Sequence, residues 1–173
     1  GVAPFNSWPG TFAVVTSTWA TGGGVVPNAA DYGIIELAPR SCSGATRLIG
    51  NCIGFAGFQT GSFAKEHITA MGYPCNIDSC RKMHRVDAEP HLAYAPNNLS
   101  IGSDMGPGSS GGGWFQNYGE YGTGQHDGAS NRVRAVTAWG FEDPSLKEQG
   151  AAIFDSRFVQ ILNIACGHRA GNC

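Results

Sequence analysis

The densest chemical signal in this 173-residue chain is the run Asp104-Met105-Gly106-Pro107-Gly108-Ser109-Ser110-Gly111-Gly112-Gly113-Trp114-Phe115. Three chemistries compete for it. Gly106, Gly108 and Gly111 fit the spacing of a dinucleotide-binding turn, which also needs a strand before it, a helix after it and an acidic residue about 20 positions on. Gly-Gly-Trp-Phe does not open a helix. Gly108, Ser110 and Gly112 fit a nucleophile elbow, with Ser110, Asp155 and His168 following in the matching chain order. That reading needs a βαβ pattern, which the chain lacks. The third places Ser110 on a tight glycine turn between two strands. There the backbone N–H groups of Gly108 and Ser110 converge where an acyl oxygen gains charge during attack by a hydroxyl.

The elements that must carry such a turn are short. Apolar runs at Thr11 to Val15, Tyr32 to Leu37, Leu48 to Phe58, His67 to Gly72, Val133 to Trp139 and Ala151 to Phe154 are bounded by Gly, Pro, Asn and Ser. Runs of this kind predict strands, and so a sandwich or barrel. One helix is expected near the C-terminus, capped by Asp155 or Ser156 and stopped by Gly167, with Phe158, Ile161, Leu162 and Ala165 on one face. Asn117 to Asn131, which includes His126, has no periodicity and reads as a long exposed loop. Trp8, Trp19 and Trp114 read as core or rim aromatics, and Arg132 with Arg134 as a solvated face.

Composition excludes several function classes. Charged residues are 14% of the chain against a usual figure of about 25%, and 26 glycines rule out a coiled coil. A net charge of -2 offers no footprint for nucleic acid or for an anionic membrane surface. No apolar run reaches the roughly 18 residues of a spanning helix, and residues 1–9 lack the basic start and apolar run of a signal peptide. The expectation is a soluble, already trimmed single domain. Six cysteines (Cys42, Cys52, Cys75, Cys80, Cys166, Cys173) favour disulfides made in an oxidising compartment, hence secretion. Pairing between sequence neighbours is the simplest of the possible connectivities. The rival is a zinc site at Cys75, Cys80, His84 and His91, whose spacings sit outside or at the edge of structural zinc patterns. Asn98-Leu99-Ser100 is a glycosylation sequon that would fit a surface loop.

The segment from Asp104 through GPGSSGGGW resembles the nucleophile turn of the chymotrypsin-like serine peptidases. Two further segments match in order: Asp31-Tyr32-Gly33-Ile34-Ile35-Glu36-Leu37 is similar to the strand that begins with the catalytic carboxylate, and Ala135 to Gly140 to the strand lining the substrate cleft. Ile68 to Pro74 is similar to the first strand of the second barrel in the V8-like, glutamyl-endopeptidase branch. The resemblance runs from Trp19 to the C-terminal helix. It implies an all-β, chymotrypsin-like double β-barrel with a short C-terminal helix: residues 1–60 would be the remaining part of an incomplete first barrel, and 61–173 the second barrel.

On this resemblance Ser110 is the nucleophile, Asp31 the carboxylate that orients an imidazole, and Gly108 with Ser110 the oxyanion hole. A serine hydroxyl is weakly nucleophilic until a histidine takes its proton, and no histidine precedes Asp31. Two arrangements follow. Either a light chain carrying the catalytic His joins this heavy chain in a secreted two-chain endopeptidase acting on proteins or peptides, or the chain is a noncatalytic homologue that binds proteins. His67, His84, His91, His126 and His168 all lie downstream of the required position. The resemblance puts Asp104 at the base of the P1 pocket, where it would attract Lys or Arg or else serve as a structural carboxylate. Ala138, Trp139 and Gly140 line the cleft, the last two as an edge for strand addition. Met105 and the absence of a cleft-strand His argue against cleavage after Glu. Ser109 replaces the Asp that pairs with a new N-terminus in trypsin-type activation. No metal or organic cofactor is implied.

Overall fold

The computed structural model describes residues 5, 7–61, 67–119 and 131–173. The first part of the chain holds β1 (Gly10–Val15), α1 (Ser17–Thr21), β2 (Gly33–Leu37), β3 (Arg40–Cys42), β4 (Ala45–Arg47), α2 (Gly50–Ile53) and β5 (Gly57–Phe58). The second holds β6 (Ile68–Gly72), α3 (Cys75–Asp78), β7 (His84–Ala88), β8 (Leu92–Tyr94), β9 (Asn98–Gly102), β10 (Gly113–Gln116), β11 (Arg132–Gly140), β12 (Glu148–Ile153) and α4 (Ser156–His168).

A curled sheet in the order β7-β6-β10-β11-β12-β9-β8 forms the body, antiparallel throughout, with β5 added parallel to β11. β1 and β2 form a separate antiparallel ribbon, and β3 and β4 a small hairpin. The sheet curls around Ile68, Ala70, Leu99, Ile101, Trp114 and Ile153, all buried. Its outer face packs on a second cluster in which Tyr32, Phe154, Phe158 and Ile161 join α4 to the ribbon strands through Val14 and Ile34. Phe154 stacks on Phe158 at 3.9 Å, and Tyr32 meets both rings edge-on. Aromatic pairs of this kind each contribute about 0.5–1.5 kcal/mol beyond area burial.

Five of the six expected strands form, four within a residue of their apolar runs and β12 starting three residues ahead of its run. Leu48 to Phe58 does not: it holds the helical turn α2 and only the two-residue β5. Gly50 and Gly54 start and end that turn, and Cys52, tied to Cys42, lies inside it. Helix α4 begins where its cap predicts, with the Asp155 side chain accepting from Arg157 N at 2.9 Å. It does not stop at Gly167 but runs through that residue to His168. The disulfides are Cys42–Cys52, Cys75–Cys80 and Cys166–Cys173, the sequence-neighbour pairing. Cys75 and Cys80 are thus spent on each other rather than free as zinc ligands.

Two side-chain expectations are corrected. Arg134 is buried and donates to Gln116 and to the Gly61 carbonyl, because its alternate position on β11 points inward. Asn98 is 2% exposed, so the sequon lies in the interior sheet rather than on a surface loop. Trp19 is half-buried and lines a cavity described below. The loop reading for 117–131 falls mostly outside the described residues, as does His126; its two ends are pinched by Asn131 N donating to Asn117 O at 3.1 Å. Among the described residues no helix is long and apolar enough to cross a membrane.

Candidate active site

Ser110 lies in the turn between β9 and β10, outside any helix. Hydrogen bonds fix the turn on both sides of it. Ser109 N donates to Gly106 O at 3.2 Å and Gly112 N to Ser109 O at 3.0 Å; Gly111 N donates to Thr137 O at 2.8 Å and Thr137 N to Gly112 O at 2.9 Å. A Cβ on Gly112 would sit 1.9 Å from the Met71 carbonyl oxygen, so only glycine lets β6 and the turn come this close. Gly108 adopts φ +96°, which side chains disfavour. Among the described residues the N–H groups of Gly108 and Ser110 have no acceptor, and the Ser110 side chain is exposed. Beside it the Ser109 hydroxyl is buried without a hydrogen-bond partner.

Asp31 is held from the other side by the loop entering β2. Ala30 N donates to Asn28 Oδ1 at 3.0 Å, and the buried Thr16 hydroxyl donates to Ala30 O at 2.8 Å. Asn98 Nδ2 reaches Asn28 O at 2.8 Å, and Ala29 O accepts from Asn97 Nδ2 and Arg157 Nη2. The following residue, Tyr32, is buried and donates its hydroxyl proton to Asp155 at 2.9 Å. Asp31 itself is half-buried, and that burial pushes its carboxyl pKa up.

Both groups open into one cavity of about 270 Å³, lined by Asp31, Ser110, Trp19, Val15, Thr137 and Ala138 among others. No described histidine lines it. His84 pairs with Asp78 at 3.0 Å, His91 lies 3.7 Å from Glu148, His168 contacts Glu36 at 2.7 Å, and His67 is exposed. The elbow alternative fails on the same geometry: Asp155 caps α4 and binds Tyr32, Asn97 and Arg157, while His168 faces Glu36.

A second cavity, of about 400 Å³, adjoins Ser110 on its other flank and is lined by Asp104, Met105, Thr137, Trp139, Gly140 and Gln149, with further acidic residues at Glu142, Asp143 and Glu148 against the single cation Lys147. Asp104 is exposed, and among the described residues its carboxylate accepts no hydrogen bond; its backbone carbonyl accepts from Asn76 Nδ2 at 2.8 Å. Met105 is 5% exposed and belongs to the sheet core. Thr137 Oγ1 accepts from Trp114 Nε1 and from Gln149 Nε2, which orders the inner wall. Trp139 and Gly140 pair with β12 on one edge, with Ala138 at a bulge in that pairing; past Val136 the opposite edge has no strand partner among the described residues. Trp139 is anchored by Nε1 donating to Asn98 Oδ1 at 3.0 Å and by edge contact with Tyr94. Sequence reasoning passed over Asn76 and Gln149, and it read Trp19 as a core or rim aromatic and Thr137 only as part of the cleft strand. Only Asn76 carried a local signal, its place inside the short Cys75-to-Cys80 loop.

No family model and no curated protein matches the chain. Solved structures do. A thermostable serine protease, AL20, from an extremophilic microorganism superposes with TM-score 0.75 at 20% identity, over 98% of this chain and 72% of that one. The protease Anisep of Arthrobacter nicotinovorans gives 0.71 at 18% identity, over 96% and 70%. A Glu endopeptidase gives 0.68 at 18% identity, over 96% and 67%. Over nearly its whole length the chain thus folds as these proteins do: it has the chymotrypsin-like serine-protease fold with its first barrel incomplete.

Proposed function

We propose that the chain is the heavy chain of a secreted serine endopeptidase, completed by a separate polypeptide that places a histidine between Asp31 and Ser110. The observation that carries this reading is the shared cavity: a half-buried carboxylate and an exposed hydroxyl line one opening that no described histidine enters. An imidazole seated there takes the Ser110 proton as Oγ attacks the scissile carbonyl, and returns it to the leaving amine; water then hydrolyses the acyl-enzyme. Asp31 holds the ring in the required tautomer and stabilises its positive charge. The unpaired N–H groups of Gly108 and Ser110 receive the developing oxyanion.

Substrate enters as an extended strand along the free edge of Ala138, Trp139 and Gly140. Its P1 side chain fills the larger cavity. The unpaired Asp104 carboxylate and the acidic surround favour a Lys or Arg there. The three disulfides support an extracellular setting. Domain limits at 1–60 and 61–173 follow the same reading, with the ribbon β1–β2 as the remnant of the first barrel.

Fluorophosphonate labelling of the native assembly tests the chemistry. The expected result is stoichiometric modification of Ser110, located by peptide mass mapping and abolished in Ser110→Ala. An unlabelled Ser110 with a His-bearing chain present overturns the reading. The absence of any described histidine from the cavity also favours a second possibility, a noncatalytic protein-binding homologue; that one predicts no copurifying His-bearing chain and full partner binding by Ser110→Ala.

A further inference from the structure

We infer that Asn76 and the Cys75–Cys80 loop form a brace that positions the Gly106–Gly108 backbone, and so both the oxyanion hole and the P1 cavity wall. The inference rests on the functional reading of Ser110 above and adds a positioning residue to it. Asn76 uses both ends of its side-chain amide on the turn. Nδ2 donates to Asp104 O and Oδ1 accepts from Gly106 N, each at 2.8 Å, so residues on either side of Met105 are held by one side chain. The neighbouring backbone adds a third bond, Cys75 N donating to Pro107 O at 2.7 Å. The disulfide itself lies against Gly108. A Cβ there would meet Tyr73 O at 2.5 Å, Cys75 Sγ at 2.6 Å and Cys80 Sγ at 3.1 Å.

These contacts decide where the Gly108 N–H points. Without the brace, residues 104–108 keep, among the described residues, the Ser109-to-Gly106 backbone bond and the bond from Met105 N to Ser103 Oγ, and neither holds Pro107 or Gly108; both bonds to Thr137 involve Gly111 and Gly112, beyond the nucleophile. Asn76 also lines the larger cavity, so the same side chain sets the floor on which Asp104 is displayed. The closure of Cys75 and Cys80 across four intervening residues keeps α3 compact enough for Asn76 to face the turn. A misplacement of about 1 Å in such a positioning group costs on the order of 100-fold in rate.

Three variants of the assembled two-chain protein test the brace: Asn76→Ala, Asn76→Asp and the pair Cys75→Ser with Cys80→Ser. Asn76→Asp keeps the acceptor for Gly106 N–H while losing the donor to Asp104 O. Two measurements are needed: amide hydrogen exchange at Gly106 and Cys75, and the split of kcat from KM on a peptide ester together with the fluorophosphonate labelling rate. The expected result is faster exchange at both amides and about 10- to 100-fold lower kcat in Asn76→Ala, with KM moved less than threefold. Asn76→Asp should restore Gly106 protection and most of kcat. Unchanged exchange or unchanged kcat in Asn76→Ala overturns the brace, and so does an equal loss in Asn76→Asp. Wild-type protein that resists labelling but loses Gly106 protection in Asn76→Ala strikes the functional reading and leaves the brace as a structural one. If the double Cys variant fails to fold, the Asn76 pair still decides.

Discussion

A carboxylate in a confined cavity with no cation beside it is held away from its charged form, and Asp31 is in that position, its pKa raised by burial. Because the folded-state pKa lies above the unfolded one, the charged form costs stability at pH 7, and the cost disappears as pH falls through the carboxylate range. Asp31→Asn is therefore expected to melt at or above the wild-type temperature at pH 7 in the isolated chain, the difference closing below about pH 4. In the assembled enzyme the same change should lower the acylation rate by about 10⁴-fold, since Asn favours the wrong imidazole tautomer. Thermal melts across pH and pre-steady-state acylation check the two halves. A variant that melts well below wild type at pH 7 means that the chain itself stabilises the Asp31 charge. Asp104 gives a second residue-scale expectation. Asp104→Asn should reduce kcat/KM for peptides with Lys or Arg at P1 by about 10- to 100-fold, the range set by roughly 1.5–3 kcat-relevant kcal/mol for a hydrogen bond to a charged group. Peptides with apolar P1 residues should change little, and an equal loss on both substrate types removes Asp104 from specificity.

At the scale of elements, the ribbon carrying Asp31 depends on α4. Two paired strands alone are marginal in water, and this pair is secured through Glu36, which is buried on β2. Glu36 accepts from Thr11 at 3.0 Å, His168 at 2.7 Å and Asn172 at 2.7 Å, and lies 3.1 Å from Arg169. Desolvation pushes its carboxyl upward, but the bonds from Asn172, His168 and Thr11 and the Arg169 charge outweigh it and hold the pKa down to about 2. Phe12 stacks on the His168 ring at 4.1 Å, and the Cys166–Cys173 disulfide ties down the chain end that supplies Arg169 and Asn172. A depressed folded-state pKa contributes stability that is present above the ordinary carboxylate value of 4.5 and is lost as pH falls toward about 2. Glu36→Gln should therefore melt lower than wild type at pH 7, with the gap narrowing progressively between pH 4.5 and pH 2. Circular dichroism melts over that range measure it; a gap that widens on acidification contradicts the network's role.

For the whole molecule, the open side of the ribbon is the feature that calls for a partner. Ile35 is 66% exposed, Val25 63%, Val26 55% and Val15 48%, with Val15 also lining the Asp31 cavity. Val15 and Ile35 share one face of the ribbon, and on the proposed two-chain reading a strand of the light chain laid on β1 or β2 would cover them. The expected outcome of native mass spectrometry on purified material is a second polypeptide carrying a histidine, held without a disulfide because all six cysteines pair within this chain. Hydrogen exchange should show β1 and β2 amides protected in the assembly and exposed in the separated chain. Single-chain material that is fully active on peptides contradicts the two-chain arrangement.

The sequence by itself determined the local pieces whose signals are contiguous. Glycines at 108, 111 and 112 permit one kind of turn for Ser110, Asp155 caps a helix, and close cysteine pairs form short loops. The apolar runs marked five of the twelve described strands for the same reason, since side-chain period is a local property. Where long-range forces compete with the local pattern, the reading broke. Leu48 to Phe58 carries a strand's composition, yet the Cys42–Cys52 link and glycines at both ends of a helical turn leave it two residues of β-structure. Gly167 continues α4 because packing of Phe158, Ile161 and Leu162 on the second core outweighs one glycine's helix cost of about 1 kcal/mol. The interior places of Arg134 and Asn98 were likewise illegible, because each is satisfied by partners distant in sequence. Only the tertiary structure decided that Asp31 and Ser110, 79 positions apart in the chain, face one cavity, and that Asn76 grips the turn before the nucleophile. Contacts at such separations are set by how the sheet curls and how α4 packs beneath the ribbon, and no short window of sequence encodes that.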